Sequence, residues 1–219
     1  MKVLYGTTNQ AKLDAMRKTV EELGIKLVGL RDMDQSVPAA EETGKNPLEN
    51  ARMKARVYYR AFSMPVFSCD SGLYFDGLKE TEQPGTHIRR IGGKELSDEE
   101  MIAYYAELAK MHGGRLTGRY RNAICFVVDD NTVFESMDES LATEPFVLVS
   151  EPHKKRVEGF PLDSLSIDIE TGRYYHDITE KTLSKSCIEQ GCRVFFERAI
   201  GKMTVEKCKK CNMISVDSE

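Results

Sequence analysis

The first thirty residues constrain the fold most. Residues 2–6 form a short apolar run, as a buried strand would. Leu13, Met16, Val20 and Leu23 then recur at spacings of three, four and three, which lays one apolar stripe along a helix spanning residues 10–24. Gly24 suits the C-terminal stop of that helix. Lys26-Leu27-Val28-Gly29-Leu30 reads as a second strand. Strand, helix and strand in so short a span predict a parallel βαβ unit with a right-handed crossover.

The pattern continues in the same style. Residues 31–46 are polar and carry Pro38 and Gly44, so they read as a loop. Asn46-Pro47 is a helix start, with Asn as N-cap and Pro at the first helical position. Leu48, Ala51, Ala55, Tyr58 and Phe62 supply the stripe of that helix. Pro65 to Cys69 reads as a strand ending at Asp70-Ser71-Gly72. Ser97 and Glu100 form a capping box before a helix whose Met101, Tyr105, Leu108 and His112 share a face. Ala123 to Val128 is a continuous apolar run, the mark of a fully buried strand. Asp129-Asp130-Asn131 marks a turn, and 132–137 and 145–149 read as further strands of an antiparallel meander. Residues 180–200 are helical in pattern. The expected fold is α/β, with a mixed, mainly central twisted sheet flanked by helices and room for two lobes around a cleft. One domain over 1–202 and a polar, fraying tail over 203–219 are expected.

Bulk properties narrow the function. The chain has 219 residues, enough for one domain with a real core or a domain with a smaller lobe. Apolar residues make up 41% and charged residues 30%, the balance of a soluble globular protein. There is no apolar run of about 18 residues, so no membrane span is expected. The apolar start is too short for a signal peptide, and a cytoplasmic location follows as the default. A net charge of −4 argues against a nucleic acid partner, which would need a concentrated basic surface. A small anion needs only a local basic pocket.

Four segments carry chemistry. Thr7-Thr8-Asn9-Gln10-Ala11-Lys12 lies between the first strand and the first helix. A helix N-terminus offers free N–H groups and partial positive charge to a phosphate, and Lys12 adds a full charge. The same residues also suit an ordinary N-cap followed by a surface lysine, and they do not form the glycine-rich P-loop. Glu41-Glu42-Thr43-Gly44 and Asp70-Ser71-Gly72 bring carboxylates to a loop and to a strand end, where α/β sheets gather their ligands. Carboxylates there suit Mg²⁺, which takes one or two of them plus phosphate oxygens. Each acidic segment alone also reads as solvated loop. Pro84-Gly85-Thr86-His87-Ile88-Arg89-Arg90 sets two arginines after a turn, either to meet a triphosphate or as a surface charge pair.

In this order the four segments resemble the inosine triphosphate pyrophosphatase (Ham1-like) family, which hydrolyses non-canonical purine nucleoside triphosphates. The family's T-x-N-x-x-K is matched by Thr7, Asn9 and Lys12. Its E-E-T-G-x-[ST]-x-x-E-N-A-x-x-K-A pattern is matched by Glu41 to Gly44, Glu49-Asn50-Ala51 and Lys54-Ala55. Its D-D-S-G-L is similar to Cys69-Asp70-Ser71-Gly72-Leu73, and its Pro-Gly-x-x-S-A-R stretch to Pro84 through Arg90. The resemblance covers about residues 1–95. Further on, the family's G-[FY]-G-[YWF]-D-P is met only by Gly159-Phe160-Pro161-Leu162-Asp163-Ser164, which keeps the Gly, the Phe and the Asp. Its K-N-x-x-S-H-R is met by Lys181 and Ser184-Lys185 without the His-Arg pair.

The resemblance implies release of pyrophosphate from a nucleoside triphosphate with Mg²⁺ on Glu42 and Asp70. It implies that Asp70 activates the water attacking the α-phosphorus. Thr7, Thr8, Asn9 and Lys12 would hold phosphates, with Lys12 also catalytic. Ser71, Arg90, Phe160, Asp163 and Lys181 would bind substrate. It further implies a nucleotide cleft and a homodimer. Two rival readings are a hydrolase of another nucleotide and a non-catalytic nucleotide-binding protein. Six scattered cysteines without a secretory signal read as reduced thiols, with Cys69 and Cys125 in the core. Cys208-Lys209-Lys210-Cys211 with Cys187 and Cys192 offers four thiolates for Zn²⁺, but the 187/192 spacing is loose.

Overall fold

A computed structural model describes residues 1–178 and 186–214. The opening βαβ unit is present: β1 (Lys2–Tyr5), α1 (Gln10–Val20) and β2 (Lys26–Gly29), with β1 and β2 parallel from Lys2↔Lys26 to Tyr5↔Gly29. Asn9 caps α1 by accepting from Lys12 N at 3.1 Å. A 3₁₀ turn over Glu21–Leu23 extends the helix to Gly24, whose φ of 71° is the left-handed stop that glycine adopts without strain. α2 (Pro47–Phe62) starts where the Asn-Pro pair predicts, with the Asn46 side chain accepting from Glu49 N. Its Ala51 and Ala55 pack on the sheet at Ala123, Cys125 and Val127.

Two long strands organise the rest. β3 (Val66–Phe75) is parallel to β1 over Leu4↔Val66 and Tyr5↔Phe67, then runs on alone on that side. On its other side it is antiparallel to β6 (Arg115–Val127), from Val66↔Val127 to Phe75↔Gly118. Sequence reading ended the third strand at Asp70 and began the sixth at Ala123; both run further. The polar stretch Asp70-Ser71-Gly72 interrupts the apolar pattern, but its backbone keeps its partners in Ala123, Asn122 and Arg121. Tertiary pairing overrides the local polarity there.

Two two-residue strands, β4 (Arg90–Ile91) and β5 (Lys94–Glu95), make a hairpin before α3 (Asp98–Met111). The Ser97/Glu100 capping box forms, and Met101, Tyr105 and Leu108 are buried. His112 does not share their face; it is the exposed C-cap, because the helix has already ended.

β7 (Val133–Ser136) and β8 (Phe146–Val149) do not pair with each other as a meander would. Both bind the free edge of β6, β7 at its C-terminal half and β8 at its N-terminal half, since thirteen residues of β6 leave room for two neighbours. β9 (Ser166–Asp168) closes the sheet in the order β2-β1-β3-β6-β8-β9. α4 runs over Ser186–Ile214, through the stretch read as a polar tail.

Apolar packing gathers at two ends of the β3–β6 ladder. At one end Phe67, Ile124 and Phe126 pack with Leu13 and Val20 of α1 and Phe195, Phe196 and Ala199 of α4. At the other, Leu73 and Phe75 pack with Met101, Tyr105 and Leu108 of α3 and Phe146 and Leu148 of β8. Each such side chain contributes about 1.5–3 kcal/mol on burial. Asp70 and Ser71 lie between the two cores, on the stretch of β3 that has outrun β1. No helix among the described residues is long and apolar enough to cross a membrane.

Candidate active site

Successive residues of a strand point to opposite faces, so Asp70 and Ser71 part company. Asp70 faces α2. Its Oδ2 accepts from Asn50 Nδ2 at 3.0 Å, and its Oδ1 lies 2.6 Å from Lys54 Nζ. Lys54 also reaches Glu42 Oε1 at 3.0 Å, so one ammonium bridges carboxylates from the loop and from β3. The side chains of Lys54 and Asp70 are only 11% and 13% exposed, which shields the pair from solvent. Burial pulls the Lys54 ammonium toward the neutral form, but Asp70 and then Glu42 outweigh it and leave its pKa raised.

Asn50 ties the loop to the strand. It is 1% exposed, and its Oδ1 accepts from Gly44 N at 2.7 Å while its Nδ2 holds Asp70. Gly44 must be glycine for this approach, because a Cβ there would lie 2.6 Å from Asn50 Oδ1 and 2.8 Å from Asn50 N. Asn50 and Lys54 belong to the segment matched to E-N-A-x-x-K-A, yet sequence reading gave them no role. The available signal was their position: polar residues one turn apart beside the buried stripe of Ala51, Ala55 and Tyr58.

Ser71 faces the other side of the sheet. Its hydroxyl donates to Asn122 Oδ1 at 2.6 Å, and Asn122 Nδ2 donates to Leu141 O at 2.6 Å. Cys69 shares this face and hydrogen-bonds Tyr5. Burial pushes the Cys69 thiol up to about 11, against the opposing pull of its Tyr5 bond and of the charges on Lys12 and Lys54. The field of Lys12 thus reaches the residue next to Asp70.

At the N-terminal turn, Thr7 Oγ1 accepts from Asn9 N at 3.2 Å and Asn9 acts as the N-cap. Thr8 and Lys12 are exposed, and Lys12 makes no ion pair among the described residues. The Pro84–Arg90 segment meets the acidic loop: Thr86 Oγ1 donates to Gly44 O at 3.4 Å. Glu42, Thr86, His87, Arg89, Arg90 and Glu95 line a cavity of about 190 Å³. Arg90 is exposed there. Arg89 serves the fold instead, donating to Leu96 O at 3.0 Å and Asp98 Oδ1 at 2.7 Å.

Asp98 continues this chain of contacts, and sequence reading missed it. Its Oδ2 accepts from Gly159 N at 2.8 Å, so one carboxylate links Arg89 to the start of the Gly159–Ser164 segment. These bonds, the Gly159 N–H first and Arg89 second, hold the Asp98 carboxyl below its ordinary value. Phe160 is 57% exposed, while Pro161 and Leu162 are buried. Asp163 is half-buried and acts electrostatically on Tyr120 and Tyr175. Lys181 and Ser184-Lys185 lie outside the described residues.

The structure therefore brings Glu42 and Asp70 to one cation, with Arg90 lining the same cavity as Glu42 and the field of Lys12 reaching Cys69. It does not bring Ser71 to the same face as Asp70. Among the described residues no group of three or more His, Cys, Asp or Glu could hold a metal ion. Cys192 is buried in the core, and the side chains of Cys187, Cys208 and Cys211 lie outside the described residues. A larger cavity of about 340 Å³ between β7 and α4 holds none of the site residues.

The comparisons with known proteins agree with this architecture. The chain is similar to the dITP/XTP pyrophosphatase of Leptospira interrogans (serovar copenhageni), 30% identical over 179 residues, 81% of this chain and 85% of that protein. It is similar to the dITP/XTP pyrophosphatase of Cutibacterium acnes, 30% identical over 169 residues, 76% and 78% of the two chains. Among solved structures, a HAM1 protein from Coxiella burnetii superposes with a TM-score of 0.71 at 22% identity, covering 93% of this chain and 99% of that one. The Staphylococcus aureus Ham1 protein superposes with a TM-score of 0.67 at 19% identity, covering 90% and 98%. At these identities the structures speak for the fold. The Ham1 family model matches residues 3–146, and with the curated relatives it establishes that the chain belongs to the Ham1 family.

Proposed function

We propose that this chain is a magnesium-dependent nucleoside-triphosphate pyrophosphohydrolase acting on non-canonical purine nucleotides such as ITP, XTP and dITP. Water adds to the α-phosphorus, and the products are a nucleoside monophosphate and pyrophosphate. One observation carries the reading: Glu42 and Asp70, from separate elements, converge on a single cation. A pair that already holds an ammonium through carboxylate oxygens suits a hard oxygen-seeking divalent ion. When bound there, Mg²⁺ would neutralise charge on the phosphates and on the departing pyrophosphate.

The chain's own residues supply the rest. Asp70 is fixed by Asn50 and Lys54, and it accepts a proton from the attacking water. Lys12 and the α1 N-terminus bind phosphate oxygens, as does Arg90 from the cavity it lines with Glu42. Phe160 offers an exposed ring to the base, on a segment tied by Asp98. Ser71, bonded to Asn122 on the opposite face, is left out of the phosphate contacts. The curated relatives carry the name dITP/XTP pyrophosphatase, which supports the purine preference.

The test is a substrate panel of ITP, XTP, dITP, ATP, GTP and a modified pyrimidine triphosphate with Mg²⁺, reading pyrophosphate and orthophosphate separately. Pyrophosphate release fastest on XTP, ITP and dITP, ahead of ATP and GTP, is the expected outcome. Asp70→Asn should still unfold cooperatively, at a lower melting temperature because Lys54 loses its charged partner, and lose turnover. Orthophosphate as the product would mean a different bond is cut. Wild-type turnover in Asp70→Asn would remove Asp70 from the chemistry.

A further inference from the structure

Lys54 fills the space between the two carboxylates. Its Nζ lies 2.6 Å from Asp70 Oδ1 and 3.0 Å from Glu42 Oε1. On the reading above, these are the two groups that hold the divalent ion, and the inference rests on that reading. Mg²⁺ needs oxygens at about 2.1 Å. A divalent ion held by Glu42 and Asp70 would have to share their oxygens with the Lys54 ammonium, and like charges so close repel most strongly at the shielded Asp70 end.

The partners of the two carboxylates differ. Asp70 keeps a second anchor in Asn50 Nδ2 at 3.0 Å, so it stays in place if Lys54 leaves. Glu42 is 51% exposed and bonds only Lys54 among the described residues. Charge decides what lets Lys54 go. Two carboxylates and one ammonium sum to a single negative charge. A divalent ion alone turns that into a positive charge with the ammonium stranded beside it. An incoming triphosphate supplies the anionic oxygens the ammonium then needs.

We infer that Lys54 is a cationic placeholder that makes metal binding conditional on the triphosphate, so that metal and nucleotide bind cooperatively rather than in either order alone. By linkage the coupling is reciprocal: each ligand raises the affinity of the other by the same factor. The device keeps the carboxylate pair closed in the free protein.

The experiment is a Mn²⁺ titration, with free Mn²⁺ read by electron paramagnetic resonance. It uses the whole chain with and without an α,β-methylene nucleoside triphosphate analogue. Wild type should bind Mn²⁺ weakly alone and at least tenfold more tightly with the analogue, after subtracting the metal held by the analogue in an E42Q/D70N variant. Lys54→Met should bind Mn²⁺ alone at least tenfold more tightly than wild type, with the enhancement by the analogue falling below threefold. Lys54→Arg should keep the wild-type coupling. If Lys54→Met is poorly folded, Lys54→Gln takes its place, and Mn²⁺ alone should raise its melting temperature more than it raises that of wild type. Wild-type Mn²⁺ affinity in a folded Lys54→Met or Lys54→Gln, with E42Q and D70N abolishing binding, overturns the placeholder and leaves the metal site standing. Mn²⁺ binding that ignores E42Q and D70N in every protein overturns both.

Discussion

Replacing Asn50 by leucine separates the loop from the strand with a change of similar size. The wild-type amide receives the Gly44 N–H at 2.7 Å and donates to Asp70 Oδ2 at 3.0 Å. Both ends lie in a poorly solvated place: Asn50 is 1% exposed and Gly44 is buried. The hydrogen bond to a carboxylate is worth about 1.5–3 kcal/mol, and a buried N–H left without a partner costs about 1–3 kcal/mol. The apolar leucine recovers part of this by burial. The net loss should be about 3 kcal/mol. In a chain of 219 residues each kcal/mol lowers the melting temperature by about 2–4 °C, so Asn50→Leu should melt about 6–12 °C lower. Turnover should fall at least tenfold as well, since Glu42 and Asp70 lose their common brace. Arg52→Ala is the control on the same helix. It removes an ion pair to Glu135 at 2.7 Å from an arginine 41% exposed, worth at most about 1 kcal/mol. Scanning calorimetry with pyrophosphate kinetics measures both variants. A fall below about 2 °C for Asn50→Leu, or one no larger than that of Arg52→Ala, would refute the bracing argument.

Three further outcomes are expected. Lys12→Ala should raise KM for the triphosphate at least tenfold (about 1.4 kcal/mol) while its melting temperature stays within about 1 °C, because the side chain is exposed; unchanged kinetics would take Lys12 out of the site. The Asp98 carboxyl is depressed by Gly159 N–H and Arg89, so its stabilisation is fully present above the ordinary carboxylate value of about 3.9 and is lost as pH falls through the lower folded value. Wild type and Asp98→Asn should therefore differ in urea midpoint at pH 5–7 and converge toward pH 3, and a constant gap would contradict the linkage. Burial holds the thiols of Cys69 and Cys125 up at about 11 and about 12, so iodoacetamide at pH 8 should spare both in the native protein and modify both in urea, as peptide mass mapping would read.

Local chemistry wrote much of this fold in plain view. Asn9, Asn46 and Ser97 are short polar side chains that satisfy helix N–H groups wherever they stand, so all three helix starts were legible. Gly24 reaches the left-handed region without strain, so the end of the first helical segment was legible too. Strand lengths were not. The extent of β3 through Asp70-Ser71-Gly72 depends on β6 lying alongside, and no residue within the segment signals that neighbour. β7 folds back on β6 through the legible Asp129–Asn131 turn, but the place of β8 depends on how far the β6 edge extends at its other end.

The opening motif order, Thr7 to Lys12, Glu41-Glu42, Asp70 and Arg90, was set by the sequence alone, because identity and spacing are all that a motif contains. The roles of Asn50, Lys54, Asn122 and Asp98 were decided by tertiary structure. Each joins elements far apart in the chain: Lys54 reaches Asp70 sixteen residues on, Ser71 meets Asn122 fifty-one residues on, and Asp98 meets Gly159 sixty-one residues on. Two carboxylates share one cation only when folding brings both within hydrogen-bond range of it. Only packing fixes that distance, and it is what turned two acidic segments into the Glu42–Lys54–Asp70 cluster.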